Sequence, residues 1–211
     1  MSRPRSWLLL CALHGVASVL LWWVDAPTLQ ALIWRADDAL LRPWVWWTSA
    51  WVDPTTASLI GHQLALGGLA AFAWAARPPW HATLAWCLAW PLAQASLGLW
   101  PQIGYAQGLT GVLHAAWAVL AVQLLLQRIG MPQARRWGGL LLLGLLLKLG
   151  LEQAWHHPVV WDRANERSLV QALHLTGAVW GLLLGTLTAW LPRRWPTPRD
   201  HGPAVNDSIH P

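Results

Sequence analysis

Six long apolar runs, at 7–24, 57–76, 80–100, 109–126, 137–155 and 169–191, constrain this chain more than any other feature. A helix needs about 20 mostly apolar residues to cross the hydrocarbon core of a bilayer. In lipid the backbone polar groups can be satisfied only within the segment itself, so runs of this length are expected to be helices. Composition points the same way. The 211 residues are 55% hydrophobic and 11% charged, whereas a soluble domain carries roughly a quarter charged residues. The expectation is an all-α, integral membrane, six-helix bundle over residues 1–192. A tail at 193–211, rich in Pro, Arg and polar residues, is expected to be disordered and cytoplasmic. Arg3 and Arg5 precede the first run as they would in a signal peptide. No clear small-x-small cleavage motif follows, so the run reads as a retained span.

Charge placement gives the orientation. With the N-terminus inside, the inner segments carry Arg3, Arg5, Arg77, Arg128, Arg135, Arg136, Arg193, Arg194 and Arg199. The outer segments carry Arg35, Arg42, Arg163 and Arg167, together with most of the acids. An even number of spans with both termini inside follows. The net charge of +5 then reads as a membrane anchor, with the lipid bilayer as partner and no nucleic acid. The long outer connection at 25–54, with Leu40, Leu41, Trp44, Trp46, Trp47 and Trp51, is expected in the interface, its Trp rings at headgroup depth. Cys11 and Cys87 lie far apart in apolar runs and read as two buried thiols.

Polar side chains inside a membrane are costly and default to functional hypotheses. Three of them fall at one depth in this topology. His62 lies a few residues into the second run, Thr110 opens the fourth, and His174 is in the first part of the sixth. At about 1.5 Å per residue both histidines sit roughly 10 Å below the outer ends of their helices. Thr110 joins them if the link 101–107 dips into the bundle. Small residues allow close helix approach. Gly177, Gly181 and Gly185 recur at four-residue spacing on the sixth run, and Gly111, Ala115 and Ala118 form a small face on the fourth. A hydroxyl and an imidazole brought together this way can perform nucleophilic catalysis, the neutral ring of His174 taking the Thr110 proton. The Thr110 backbone N–H and the His62 side chain are candidate donors to a developing oxyanion. A Thr at a helix start is also a common cap. The Lys148–Glu152 pair at i, i+4 reads as a structural ion pair.

These residues resemble the rhomboid family of intramembrane serine proteases, and within it the rhombosortases. The family's Gly-x-Ser-Gly is matched by Gly108-Leu109-Thr110-Gly111, and its His followed by spaced glycines by His174, Gly177 and Gly181. His114, four residues after the nucleophile position, is the rhombosortase trait and is expected to support the dyad. The resemblance implies an endopeptidase that needs no metal or other cofactor. Its catalytic pair would be Thr110 and His174, with Gly108, Gly111, His62 and His114 around them. The implied partners are the transmembrane tails of exported proteins, of the Gly-Gly sorting type, cleaved at the outer side of a bacterial plasma membrane. Two positions depart from the family pattern. Thr110 stands where Ser is usual, and Leu66 stands where an Asn normally follows the His of the second helix. A pseudoprotease that binds transmembrane segments without cutting them is therefore a second reading. A third is a b-type haem protein ligated by His62, His114 or His174.

Overall fold

A computed structural model describes residues 4–162 and 167–191. The tail at 193–211, Arg3, Arg163 and Glu166 lie outside the described residues. The fold is mostly helical, and each of the six apolar runs forms a long helix. These are α1 (Arg5–Leu21), α4 (Thr56–Ala76), α5 (Trp80–Ala95, continued by a 3-10 turn at Ser96–Leu99), α6 (Thr110–Leu125), α7 (Ala134–Glu152) and α8 (Ala172–Thr188). Between α1 and α4 lie two short helices, α2 (Ala26–Gln30) and α3 (Val45–Thr48), and a 3-10 turn at Ser49–Trp51.

The helix ends follow local chemistry. Asp25 caps α2, accepting from the Thr28 N–H at 3.1 Å and from its hydroxyl. Those bonds, the backbone one first, hold the Asp25 carboxyl below its ordinary range. Thr55 caps α4 by accepting from the Ser58 N–H. Arg77 and Gln153 end α4 and α7 in the left-handed conformation. The sixth helix is shorter than its apolar run. Residues Arg167–Val170 form strand β4, paired antiparallel with β3 (Val159–Asp162), so that Leu169 faces Val160 across the ladder. Valines on both strands suit a pleated pair better than a helix start.

Two of the helical segments, Thr56–Ala76 and Trp80–Leu99, are long and apolar enough to cross a membrane. Helices α1, α6 and α8 are apolar but shorter, at 16 or 17 residues, or about 25 Å each.

The core is built around α6. Both flanks of this helix are buried, from Gly111 and Val112 through Ala118 and Val119 to Gln123 and Leu124. Its most extensive neighbour is α8, and α5 and α7 cover its other sides. Glycines make the α6–α8 seam possible. A Cβ at Gly177 would fall on the Gly111 carbonyl oxygen, and one at Gly181 would lie 2.5 Å from the Ala115 carbonyl oxygen. Inside this seam the Gln123 amide donates to the Gly185 carbonyl oxygen at 2.7 Å.

The outward faces are apolar. On α7, Leu140, Leu143, Leu147 and Leu151 are all exposed, Leu151 at 86%. That is one helical face at i, i+3, i+7 and i+11. On α1 the exposed residues include Leu9, Leu13, Val16 and Leu20.

The connection at 25–54 divides in two, where sequence suggested one interfacial segment. Leu40, Leu41, Trp44 and Trp47 are exposed, whereas Trp34, Val45 and Ala50 are buried. The buried part is tied inward by strand β1 (Trp34–Arg35), which pairs with β2 (Tyr105–Ala106). The two cysteines also differ from expectation: Cys11 is buried and Cys87 exposed.

Candidate active site

The site begins at Gly108. Its φ is +98°, a backbone conformation that residues with a Cβ rarely adopt. That turn lets the chain leave β2 and enter α6 at Thr110. Three ties hold it there. Ala106 is paired with Trp34, Ile103 is fully buried, and the Gly108 N–H donates to the Ser49 carbonyl oxygen at 2.9 Å. Thr110 is the first residue of α6. The first turn of a helix has no internal partners for its N–H groups, so the Thr110 end of α6 is the local source of free donors.

His174 lies in the first turn of α8. The close α6–α8 seam brings it to the same level as Thr110. His62 comes in from α4, and its Cε1 would lie 3.3 Å from a Cβ at Gly108. Thr110, His62 and His174 all line one small cleft, with a cavity volume of about 70 Å³. Pro54 and Ser58 beside His62, Tyr105 to Gln107, Leu173 and residues Ser168, Leu169 and Val170 of β4 complete its wall. Among the described residues no hydrogen bond joins the Thr110 hydroxyl to His174.

The ring nitrogens are assigned by what they touch. His174 Nδ1 is 2.8 Å from Glu152 Oε2. A carboxylate only accepts, so Nδ1 carries the proton, and among the described residues no hydrogen-bond partner faces Nε2. His114 is stacked on His174, with centroids 4.3 Å apart and planes 13° from parallel. Its Nδ1–H donates to the Thr110 carbonyl oxygen at 2.6 Å. His114 therefore supports both the ring and the backbone of the candidate pair. His62 Nδ1 is hydrogen-bonded to Asp53 Oδ1, and the Asp53 side chain is fully enclosed.

Two residues at the site were missed in sequence. The i, i+4 spacing marks Glu152 as the ion-pair partner of Lys148. That pair does form, but the other carboxylate oxygen goes to His174. Asp53 lies in the connection at 25–54, among the outer acids, and its carboxylate holds His62. Neither spacing is periodic with the histidine concerned, so no sequence pattern signals either contact.

The segment 49–53 works as a strap. Ser49 holds Gly108, Trp51 donates its indole N–H to His14 Nδ1 at 3.0 Å, and Asp53 holds His62. His14 is itself fully buried among Trp51, Trp86 and Trp90. Of the amide side chains near the position where the family pattern has Asn, Gln63 faces away from the cleft and donates to Ser18 Oγ at 2.8 Å, whereas Gln107 lines it. Leu66 is buried in the core.

A haem does not fit these residues. His114 and His174 are stacked face to face and cannot bind opposite faces of a planar macrocycle. The cleft shared by His62 and His174 is far too small to hold one between them. Among the described residues no group of three or more His, Cys, Asp or Glu side chains is arranged to hold a metal ion.

No protein-family model matches the chain, and no curated protein matches it. The functional reading therefore stands on the residues of the site.

Proposed function

We propose that this chain is a six-span intramembrane endopeptidase of rhombosortase type, with Thr110 as nucleophile and His174 as general base. The observation that carries the proposal is the cleft itself. Thr110, His62 and His174 come from three helices far apart in sequence and line one small cavity.

The membrane setting is supported by the outer surface. Soluble proteins rarely expose contiguous apolar faces of the kind seen on α1 and α7. Exposed Trp residues lie at the helix ends, among them Trp22, Trp74, Trp137, Trp155 and Trp190. Interfacial belts favour Trp at such positions. Helices of 16 or 17 residues are at the short end of what spans a bilayer, and their shortfall is met by local thinning or by flanking residues.

In the proposed reaction, the Thr110 hydroxyl attacks the scissile carbonyl carbon while its proton passes to His174 Nε2. The tetrahedral oxyanion is met by the Thr110 N–H at the start of α6 and by His62. With Nδ1–H given to Asp53, His62 donates from Nε2 only when its ring carries both protons. Collapse expels the amine, which takes the proton from His174 and leaves an ester on Thr110. Water, or an acceptor amine, then releases the product by the same route in reverse. The open Thr110–His174 contact is compatible with this chemistry, since catalytic hydrogen bonds often tighten only with substrate in place. The substrate class proposed is the C-terminal Gly-Gly sorting tail of an exported protein, cut at the outer side of a bacterial plasma membrane.

The test is co-expression with a reporter bearing such a tail, read as a size shift on a gel. Cleavage by the wild type, lost in Thr110→Ala and in His174→Ala, is the expected result. Cleavage that survives Thr110→Ala refutes the nucleophile. The pseudoprotease reading, favoured by the unclosed Thr110–His174 contact, predicts no cutting by the wild type and capture of the uncut reporter.

A further inference from the structure

We propose that Glu152 is a positioning residue that converts the Thr110–His174 pair into a three-member relay, by fixing His174 as the tautomer that presents Nε2 to the cleft. This inference rests on the protease reading for its catalytic meaning, but not for its structural content.

The observations come from three helices. Glu152 is the last residue of α7, and Gln153 leaves the helix in the left-handed conformation. Elsewhere α7 packs mainly on α6 and touches α8 little. The Glu152 carboxylate nevertheless reaches across to α8. Its two oxygens are divided, Oε1 to Lys148 and Oε2 to His174. The carboxylate is 16% exposed and the His174 side chain 12%, so the contact is largely shielded from solvent.

The placement is reinforced from the backbone. With its amide oriented to donate, the Gln171 side chain reaches the Glu152 carbonyl oxygen at 2.9 Å and the His157 carbonyl oxygen at 3.0 Å. Gln171 immediately precedes α8. The end of α7 is thus pinned to the start of α8 by two independent links, three residues apart on the α8 side.

A structural ion pair alone does not explain this geometry. Lys148 on the same helix already neutralises Glu152, which is all that burial of a lone charge requires. Turning the second oxygen onto an imidazole that lines the cleft does something further. A neutral imidazole has one N–H, and a carboxylate at Nδ1 takes it. Nε2 then holds a lone pair, the form a general base must have. His114 restricts the alternative. Stacked on one face of His174, with its own Nδ1–H committed to the Thr110 carbonyl oxygen, it opposes a ring flip without competing for Glu152. Lys148 Nζ sits on Oε1 and supplies a counter-charge there, leaving Oε2 to accept from the His174 ring and orient it.

The experiment uses the full-length protein, labelled with 15N in its histidine rings and held in detergent micelles. His174 is assigned by the signal lost in His174→Asn. In the wild type, the ring nitrogen shifts are expected to report a proton on Nδ1 and a bare Nε2. Glu152→Gln should move His174 toward the other tautomer or a mixture, because an amide can donate as well as accept. Glu152→Asp should retain the Nδ1–H form. In the reporter assay, Glu152→Gln should lower kcat by about 10²–10⁴ with KM little changed, the upper figure being that for losing the acid of a serine-protease triad. Glu152→Asp should recover part of that loss.

The proposal is overturned if wild-type His174 carries its proton on Nε2, a result that needs no variant to fold. It is also overturned if Glu152→Gln leaves both tautomer and kcat unchanged. A wild type with the expected tautomer that cuts no sorting-tail reporter would retire the protease reading while leaving the Glu152–His174 assignment standing.

Discussion

Gly181→Ala probes the contact on which the whole site depends. An added Cβ would lie 2.5 Å from the Ala115 carbonyl oxygen, 2.8 Å from Ala118 Cβ and 2.9 Å from Ala115 Cα. Ordinary contact begins at 3.4 Å, so α6 and α8 must part by about 3.4 − 2.5 = 0.9 Å. Two of those three atoms are backbone, so no side-chain rotation relieves the clash. Overpacking of this kind costs about 1–3 kcal/mol. The same displacement separates Thr110 from His174, and a misplacement of about 1 Å can cost a hundredfold in rate. The control is Gly144→Ala on α7, where an added Cβ meets nothing within 4 Å. Thermal unfolding followed by intrinsic fluorescence is convenient, given 20 Trp residues. Gly181→Ala should melt clearly below the wild type and cut the reporter at about 1% of its rate. Gly144→Ala should do neither. A Gly181→Ala protein as stable as Gly144→Ala would refute the close seam.

Two further substitutions test the ground around Thr110. Gly108→Ala places a Cβ at φ +98° and 3.3 Å from His62 Cε1, and should cost about 1–2 kcal/mol from the left-handed backbone alone. Gly104→Ala, with open space around it, is expected to melt like the wild type; equal melting of the two would remove strain from the account. Asp53→Asn keeps an oxygen for the His62 Nδ1–H but removes the negative charge. If His62 meets the oxyanion, the reporter should be cut about 10²–10³ times more slowly, the usual loss of one such donor. An unchanged rate would leave Asp53 as part of the strap only.

Sequence alone determined where the long helices lie. Each of the six apolar runs forms a long helix, which satisfies the backbone within the segment itself, although the sixth gives its first residues to β4. The glycine spacings on the fourth and sixth runs were equally legible, since a close seam demands small residues at one-turn intervals. With the orientation read from charge placement, the runs put His62 and His174 at one level, and Thr110 joined them on the condition that the link 101–107 dips inward, where the structure buries Ile103 and Ala106.

What sequence did not carry was the identity of each partner. Glu152 looked like half of an i, i+4 pair because the contact with Lys148 is local and periodic. Its second bond, to a ring 22 positions later, is made where α7 ends at Glu152 beside the start of α8. Asp53 is similar. Its neighbours Ser49 and Trp51 are fixed by Gly108 and His14, residues 59 and 37 positions away in the chain. The early end of the sixth apolar run was hidden as well, because Leu169 and Val170 are apolar whether in a strand or a helix, and only pairing with Val159 and Val160 selects the strand. Period and composition are properties of a segment and can be read along it. The direction in which a helix end turns, and therefore which polar groups meet there, is set by contacts between segments, and only the tertiary structure decides it.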